Sequence, residues 1–225
     1  QRLNFSTANQ EIYFWNSKDD NFEKDKKAVI YNETPKNKGN ISKYEQADLN
    51  NNSIIENYNL EGGQLTIREN EKAVWQSPDD WWIDNFVLAD SNNDGILDIN
   101  LSLWKSGNFG SSKPFWIEKN DMSVKNHFFI LDFIDNAVKQ IWGSSNLTEP
   151  NCEFKFADID NDSKNELVVI EGDYLQKPEC NGSFVAVWKW NSWGFSNEWR
   201  SDRGNYSNLE IERDDEKSYI VVDIL

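Results

Sequence analysis

Three segments of this chain put a tryptophan two residues before a serine. They are Lys72-Ala-Val-Trp-Gln-Ser77, Lys139-Gln-Ile-Trp-Gly-Ser144 and Ser196-Asn-Glu-Trp-Arg-Ser201. A weaker fourth copy, Lys27-Ala-Val-Ile-Tyr31, has Ile30 in the tryptophan place. Internal repetition constrains a fold more than any single motif, because each repeat is one supersecondary unit that cannot bury its apolar face alone. Each copy follows a second β-like run across a polar turn, and the pairs are 11–15 with 28–31, 65–68 with 73–76, 128–133 with 138–142, and 184–189 with 195–199. They read as hairpins.

A second kind of hairpin alternates with the first: apolar strand, acidic loop, apolar strand. The clearest copies are Phe86-Val-Leu-Ala-Asp-Ser-Asn-Asn-Asp-Gly-Ile-Leu-Asp98 and Phe154-Lys-Phe-Ala-Asp-Ile-Asp-Asn-Asp-Ser-Lys-Asn-Glu166. A weaker one is Gln46-Ala-Asp-Leu-Asn-Asn-Asn-Ser-Ile-Ile-Glu56, and the last, 209–222, has a shortened turn. The alternation repeats four times, which makes about 16 short strands with no sustained helical periodicity. The expected fold is all-β: a β-propeller with four strands per blade and four blades in one domain of 225 residues.

The acidic loops carry the chemistry. Asp90, Asn92, Asp94 and Asp98 stand at positions 1, 3, 5 and 9 of one loop, and Asp158, Asp160, Asp162 and Glu166 at the same positions of another. Oxygens on alternate residues of a tight loop converge on a hard cation, and Ca²⁺ takes six to eight of them at about 2.3–2.6 Å. Position 7, Ile96 or Lys164, would offer its backbone carbonyl. Asp48, Asn50, Asn52, Ile54 and Glu56 form the weaker copy. Two calcium ions are expected, and the first loop is a candidate for a third. Gly95 suits a sharp turn at position 6, where Ser163 departs from it. An EF-hand needs an acidic residue at position 12, which here is Leu101 or Val169, and its flanks are helical rather than β-like.

These loops, each between apolar strand segments, resemble FG-GAP/VCBS repeats, the units of the calcium-bearing propellers of integrin α-chain heads and many secreted bacterial proteins. The resemblance implies calcium in the turn between the first two strands of a blade. The family's propellers usually have seven blades, so four is a departure. Blades at about 44–77, 85–144 and 153–201 would be continuous, leaving a leading hairpin (11–31) and a trailing one (208–224). Paired two-plus-two, these would make the fourth blade and close the ring, removing an open sheet edge.

Composition excludes several functions. With 39 Asp+Glu against 23 Lys+Arg the formal net charge is -16, which disfavours nucleic acid and anionic membranes as partners. No apolar run is long enough for a membrane span. One histidine, His127, leaves little room for a Ser-His-Asp triad or a multi-histidine metal centre. Ser102 and Lys105 match SxxK, but inside an alternating apolar run that reads as a strand. Asp79, Asp80, Trp81, Trp82, Phe115, Trp116 and Tyr174 fall in connections expected on the face opposite the acidic loops. Such residues stack on sugars or grip a protein; the alternative is that they cap blade ends.

The expected function is a monomeric, calcium-stabilised binding module, secreted or at the cell surface, for a glycan or a protein. The alternative is a carbohydrate-active enzyme, a hydrolase or lyase, using carboxylates such as Asp79 or Asp80. The module is preferred because the sequence shows no well-separated carboxylate pair. Cys152 and Cys180 flank the third acidic hairpin and are either two thiols or, in an oxidising compartment, one disulfide.

Overall fold

A computed structural model describes residues 9–16, 18, 21–24, 42–108, 121–134, 136–174, 182–214 and 217–224. In chain order the strands are β1 (Asn9–Asn16), β2 (Asn21–Lys24), β3 (Ser42–Ala47), β4 (Glu56–Glu61), β5 (Gln64–Glu69), β6 (Lys72–Gln76), β7 (Trp82–Ala89) and β8 (Asp98–Ser106). They continue with β9 (Val124–Ile134), β10 (Ala137–Gly143), β11 (Asn151–Ala157), β12 (Glu166–Glu171), β13 (Phe184–Trp190), β14 (Phe195–Arg200), β15 (Tyr206–Arg213) and β16 (Ser218–Ile224). No helix occurs among the described residues.

These strands form four antiparallel sheets of four. Three are meanders of consecutive strands: β3-β4-β5-β6, β7-β8-β9-β10 and β11-β12-β13-β14. The fourth runs β15-β16-β1-β2, with β1 laid against β16 so that Gln10 faces Asp223 and Tyr13 faces Ile220. Two hairpins far apart in sequence thus share one sheet, as their alternation predicts.

The chain divides into two compact units, one comprising Gly39–Pro150 and the other Gln1–Lys38 with Asn151–Leu225. In the first, both sheets feed one apolar cluster: Tyr58 and Leu60 of β4, Leu65 and Ile67 of β5, Ile99, Leu101 and Leu103 of β8, and Phe129 and Leu131 of β9. The spacing of two along each strand puts these side chains on one face of the pleat. In the second unit Val168 and Ile170 of β12, Val185 and Val187 of β13, and Ile220 and Val222 of β16 do the same. Strands β8 and β12 are buried almost throughout, so their other faces are covered too.

The recurrent Trp-x-Ser string has a physical reading at the end of each fourth strand. Ser77 N–H donates to Leu65 O at 2.9 Å, and Ser77 Oγ accepts from Leu65 N–H at 3.1 Å. Ser144 does the same with Phe128 (2.9 and 2.9 Å), and Ser201 with Val185 (2.8 and 3.0 Å). The hydroxyl thus replaces the carbonyl that the departing strand no longer supplies. The ladder also shifts register just before each tryptophan: Trp75 pairs with Ile67, Trp142 with Ile130 and Trp199 with Val187, while Val74, Ile141 and Glu198 are left without an opposite partner. Such β-bulges re-aim side chains. Trp199 is turned onto Tyr13 and Phe22, with ring centroids at 4.9 and 5.2 Å.

The first hairpin departs from expectation. The partner of β1 is Asn21–Lys24, not residues 28–31, which lie outside the described residues. Its one apolar residue, Phe22, is buried and sits edge-on to Trp15 at 5.2 Å. Phe22 also meets Trp199 at 5.2 Å, so an aromatic cluster holds this strand beside β1.

Candidate metal centres

The three acidic loops fold into one and the same turn. Asp48 Oδ1 and Oδ2 accept from the Asn52 and Ser53 N–H groups at 3.1 and 2.9 Å. Asp90 does this with Asp94 and Gly95 (3.1 and 2.9 Å), and Asp158 with Asp162 and Ser163 (3.1 and 3.1 Å). The position-3 side chain, Asn50, Asn92 or Asp160, accepts from the position-5 N–H. The position-5 side chain, Asn52, Asp94 or Asp162, accepts from the position-7 N–H. The backbone agrees: φ is positive at positions 4 and 6 of every copy, in Asn51 and Ser53, Asn93 and Gly95, Asn161 and Ser163. Asparagine tolerates this region, whereas Ser53 and Ser163 hold it at some steric cost that Gly95 avoids.

The ninth residue closes each loop from below. Glu56, Asp98 and Glu166 begin β4, β8 and β12 and are 0%, 1% and 2% exposed. Each accepts from the N–H of loop position 2: Leu49 at 2.8 Å, Ser91 at 3.1 Å and Ile159 at 2.9 Å. Glu56 Oε1 is buried without a hydrogen-bond partner. Burial pushes Asp98 up to about 6 and Glu166 up to about 7, and raises Glu56 as well. A buried carboxylate needs a counter-charge or a proton. Carboxylate oxygens of Asp158, Asp160 and Glu166 lie within 4.8 Å of one another. The donor set, oxygen only and mostly carboxylate, suits a hard divalent cation such as Ca²⁺. At position 7 the backbone of Ile54, Ile96 and Lys164 takes part in the turn, each N–H donating to the position-5 side chain.

Three further residues reach these loops from third strands, unsignalled by the loop motif. Glu69, on β5, pairs directly with Glu56 and accepts from the side-chain amides of Asn50 and Asn52. Asp132, on β9, lies one step beyond the Ile99–Leu131 pair, beside Asp98. Lys189, on β13, lies one step beyond the Leu167–Trp188 pair, beside Glu166. Its ammonium donates to Asp160 Oδ2 and lies 3.3 Å from Asp162 Oδ2 and 3.9 Å from Glu166 Oε1. Arg213 approaches Asp158 Oδ2 at 3.4 Å from the rim.

The expected ligand residues stand in different settings. Trp81 is partly buried and packs edge-on against Phe129 at 5.2 Å, against the core of its unit. Trp82 opens β7 opposite Trp104 rather than lying in a loop. It remains 56% exposed, and its ring lies so close over Gly63 that a Cβ there would come within 2.6 Å of it. Asp79 and Asp80 are exposed in the same connection. Tyr174 belongs to the other compact unit, and Phe115 and Trp116 lie outside the described residues. Cys152 is disulfide-bonded; Cys180, the other cysteine of the chain, is outside the described residues.

A cavity of about 510 Å³ opens in the second unit, lined in part by Glu11, Tyr13, Lys24, Trp199, Arg203 and Tyr206. Of these, Trp199 is one of the repeat tryptophans of the sequence; Glu11, Tyr13 and Lys24 reach the cavity through β1 and β2. Burial would raise the Glu11 carboxyl, but hydrogen bonds from Lys24 and Tyr13 outweigh it and hold the group below its ordinary range. No family model matches the chain, and no curated protein matches it.

Proposed function

We propose that the chain is a calcium-stabilised binding module of the β-propeller type, working outside the cytoplasm on a glycan or a protein. The observation that carries the calcium part is the recurrence of one turn in three loops, each closed by a buried carboxylate, with Glu56 Oε1 left unpaired in the first. Four sheets of four strands, one of them completed by β1 against β16, support the propeller. The disulfide at Cys152 supports an oxidising compartment.

The ligand would enter the 510 Å³ cavity, where the aromatic faces of Tyr13, Trp199 and Tyr206 meet the charges of Arg203 and Lys24. Aromatic faces with a few polar groups are what a sugar ring or a polar peptide requires. Glu11, ionised and already paired, is poorly suited to act as a general acid, so binding is preferred to hydrolysis. A crystal structure grown with calcium and a glycan-array screen test this reading. Blades around one axis, ion density in at least two of the three acidic loops, and array signals lost in Arg203→Ala are expected. An open arrangement of sheets or ion-free loops would sink it, and an array without signals would leave a protein as the ligand.

A further inference from the structure

The residue that faces each acidic loop from the third strand changes sign along the chain. Measured from the residue opposite the repeat tryptophan (Ile67, Ile130 and Val187), the second residue onward is Glu69, Asp132 and Lys189. All three stand beside the buried ninth residue of their loop. In the first two loops this position adds a carboxylate. Glu69 takes both asparagine amides, and Asp132 stands across the ladder from Asp98. In the third it brings an ammonium into contact with Asp160, Asp162 and Glu166, the residues around which an ion would sit.

We infer that Lys189 is a tethered cation that takes the metal's place in the third loop, whereas Glu69 and Asp132 are additional metal-holding carboxylates of the first two. The inference rests on the calcium reading above. An ammonium has three donors and a single charge. It satisfies the outward oxygens of Asp160 and Asp162 without demanding six or more ligands, and its stem is anchored in a sheet. The third loop is therefore formed without metal, and a calcium ion entering it has to displace a like charge.

The test is calorimetric titration of the whole chain with CaCl₂ after chelator treatment, beside Lys189→Met, which keeps the stem, and Asp132→Lys, which installs the ammonium in the second loop. Wild type is expected to bind two ions. Lys189→Met should gain a third site, tightened by about tenfold or more relative to any weak third site of wild type, and Asp132→Lys should lose one. Melting gives a crossed signature: Lys189→Met falls below wild type in EGTA, where three carboxylates lose their counter-ion, and recovers in calcium. Three equivalent sites in wild type, or two in both wild type and Lys189→Met, would overturn this inference and leave the calcium reading standing. Silence in every protein would overturn both.

Discussion

The loops 90–98 and 158–166 have the same backbone and the same hydrogen bonds, yet their charge is balanced by different means. Both begin with an aspartate that ties two N–H groups, and both end on a buried carboxyl. The second loop of the chain meets a further aspartate, Asp132; the third meets Lys189. The turn is therefore built by the loop's own residues, while the charge that faces it comes from a neighbouring strand, and on our inference that charge decides which cation the loop would keep. A motif match alone reads the first property and is blind to the second.

The largest expected effect separates the loops by metal removal. An ion at a hundredfold excess over its Kd adds about 2.7 kcal/mol per site, so melting in calcium against EGTA should differ by several degrees. Asp98→Asn should remove one site's share of that difference, and Glu166→Gln should remove little; equal losses would break the comparison. Next comes pH. In EGTA the folded Asp98 and Glu166 hold protons up to about 6 and 7, whereas the unfolded chain releases them near about pH 4. The folded state then binds more protons, so metal-free stability is greatest below that window and falls as pH rises from about 4 to 7.5. Calcium binding, which needs the ionised form, strengthens over the same range. Melting in EGTA that rises with pH would contradict the burial of these groups.

Smaller effects test what the units share. Ser77→Ala, Ser144→Ala and Ser201→Ala each strip an acceptor from a strand N–H, and each should cost about 1–3 kcal/mol by denaturant unfolding. A serine whose loss is silent would remove its hairpin from the common pattern. The smallest contrast is at position 6. No atom lies within 4 Å of a Cβ added to Gly95, so Gly95→Ala pays only for its φ of +90°, about 1 kcal/mol. Ser163→Gly should gain up to about 1 kcal/mol by the same argument. Opposite signs in the two variants are the expected result.

Much of the fold was legible because its signals are local. The acidic loops and Trp-x-Ser ends recur at fixed offsets, so strands could be placed between them, and the pairing of β1 with β16 followed from the order of hairpin types. Residues 28–31 misled because they imitate the tryptophan motif, whereas Asn21–Lys24 earns its strand from one contact cluster around Phe22 that only three-dimensional packing creates. Glu69, Asp132 and Lys189 were illegible for a related reason. Cross-strand register brings them to the loops, and register depends on the bulges beside Trp75, Trp142 and Trp199. Trp81 and Trp82 were read alike, yet packing sends one ring into the core and leaves the other over the Gly63 backbone.

The division of the chain has a consequence for the order in which it is made. The unit Gly39–Pro150 is one continuous stretch, while the other is assembled from segments on either side of it. During synthesis the continuous unit can close its two sheets while β11–β16 are still to be made. Strands β1 and β2 must then wait, unpaired on one edge, until β16 emerges. Such long-range closure is slow, and an exposed edge is vulnerable to wrong partners in the interval. The sheet β15-β16-β1-β2 is thus the last to be completed, and the step at which a ribosome stall or a chaperone would most affect the yield of folded protein.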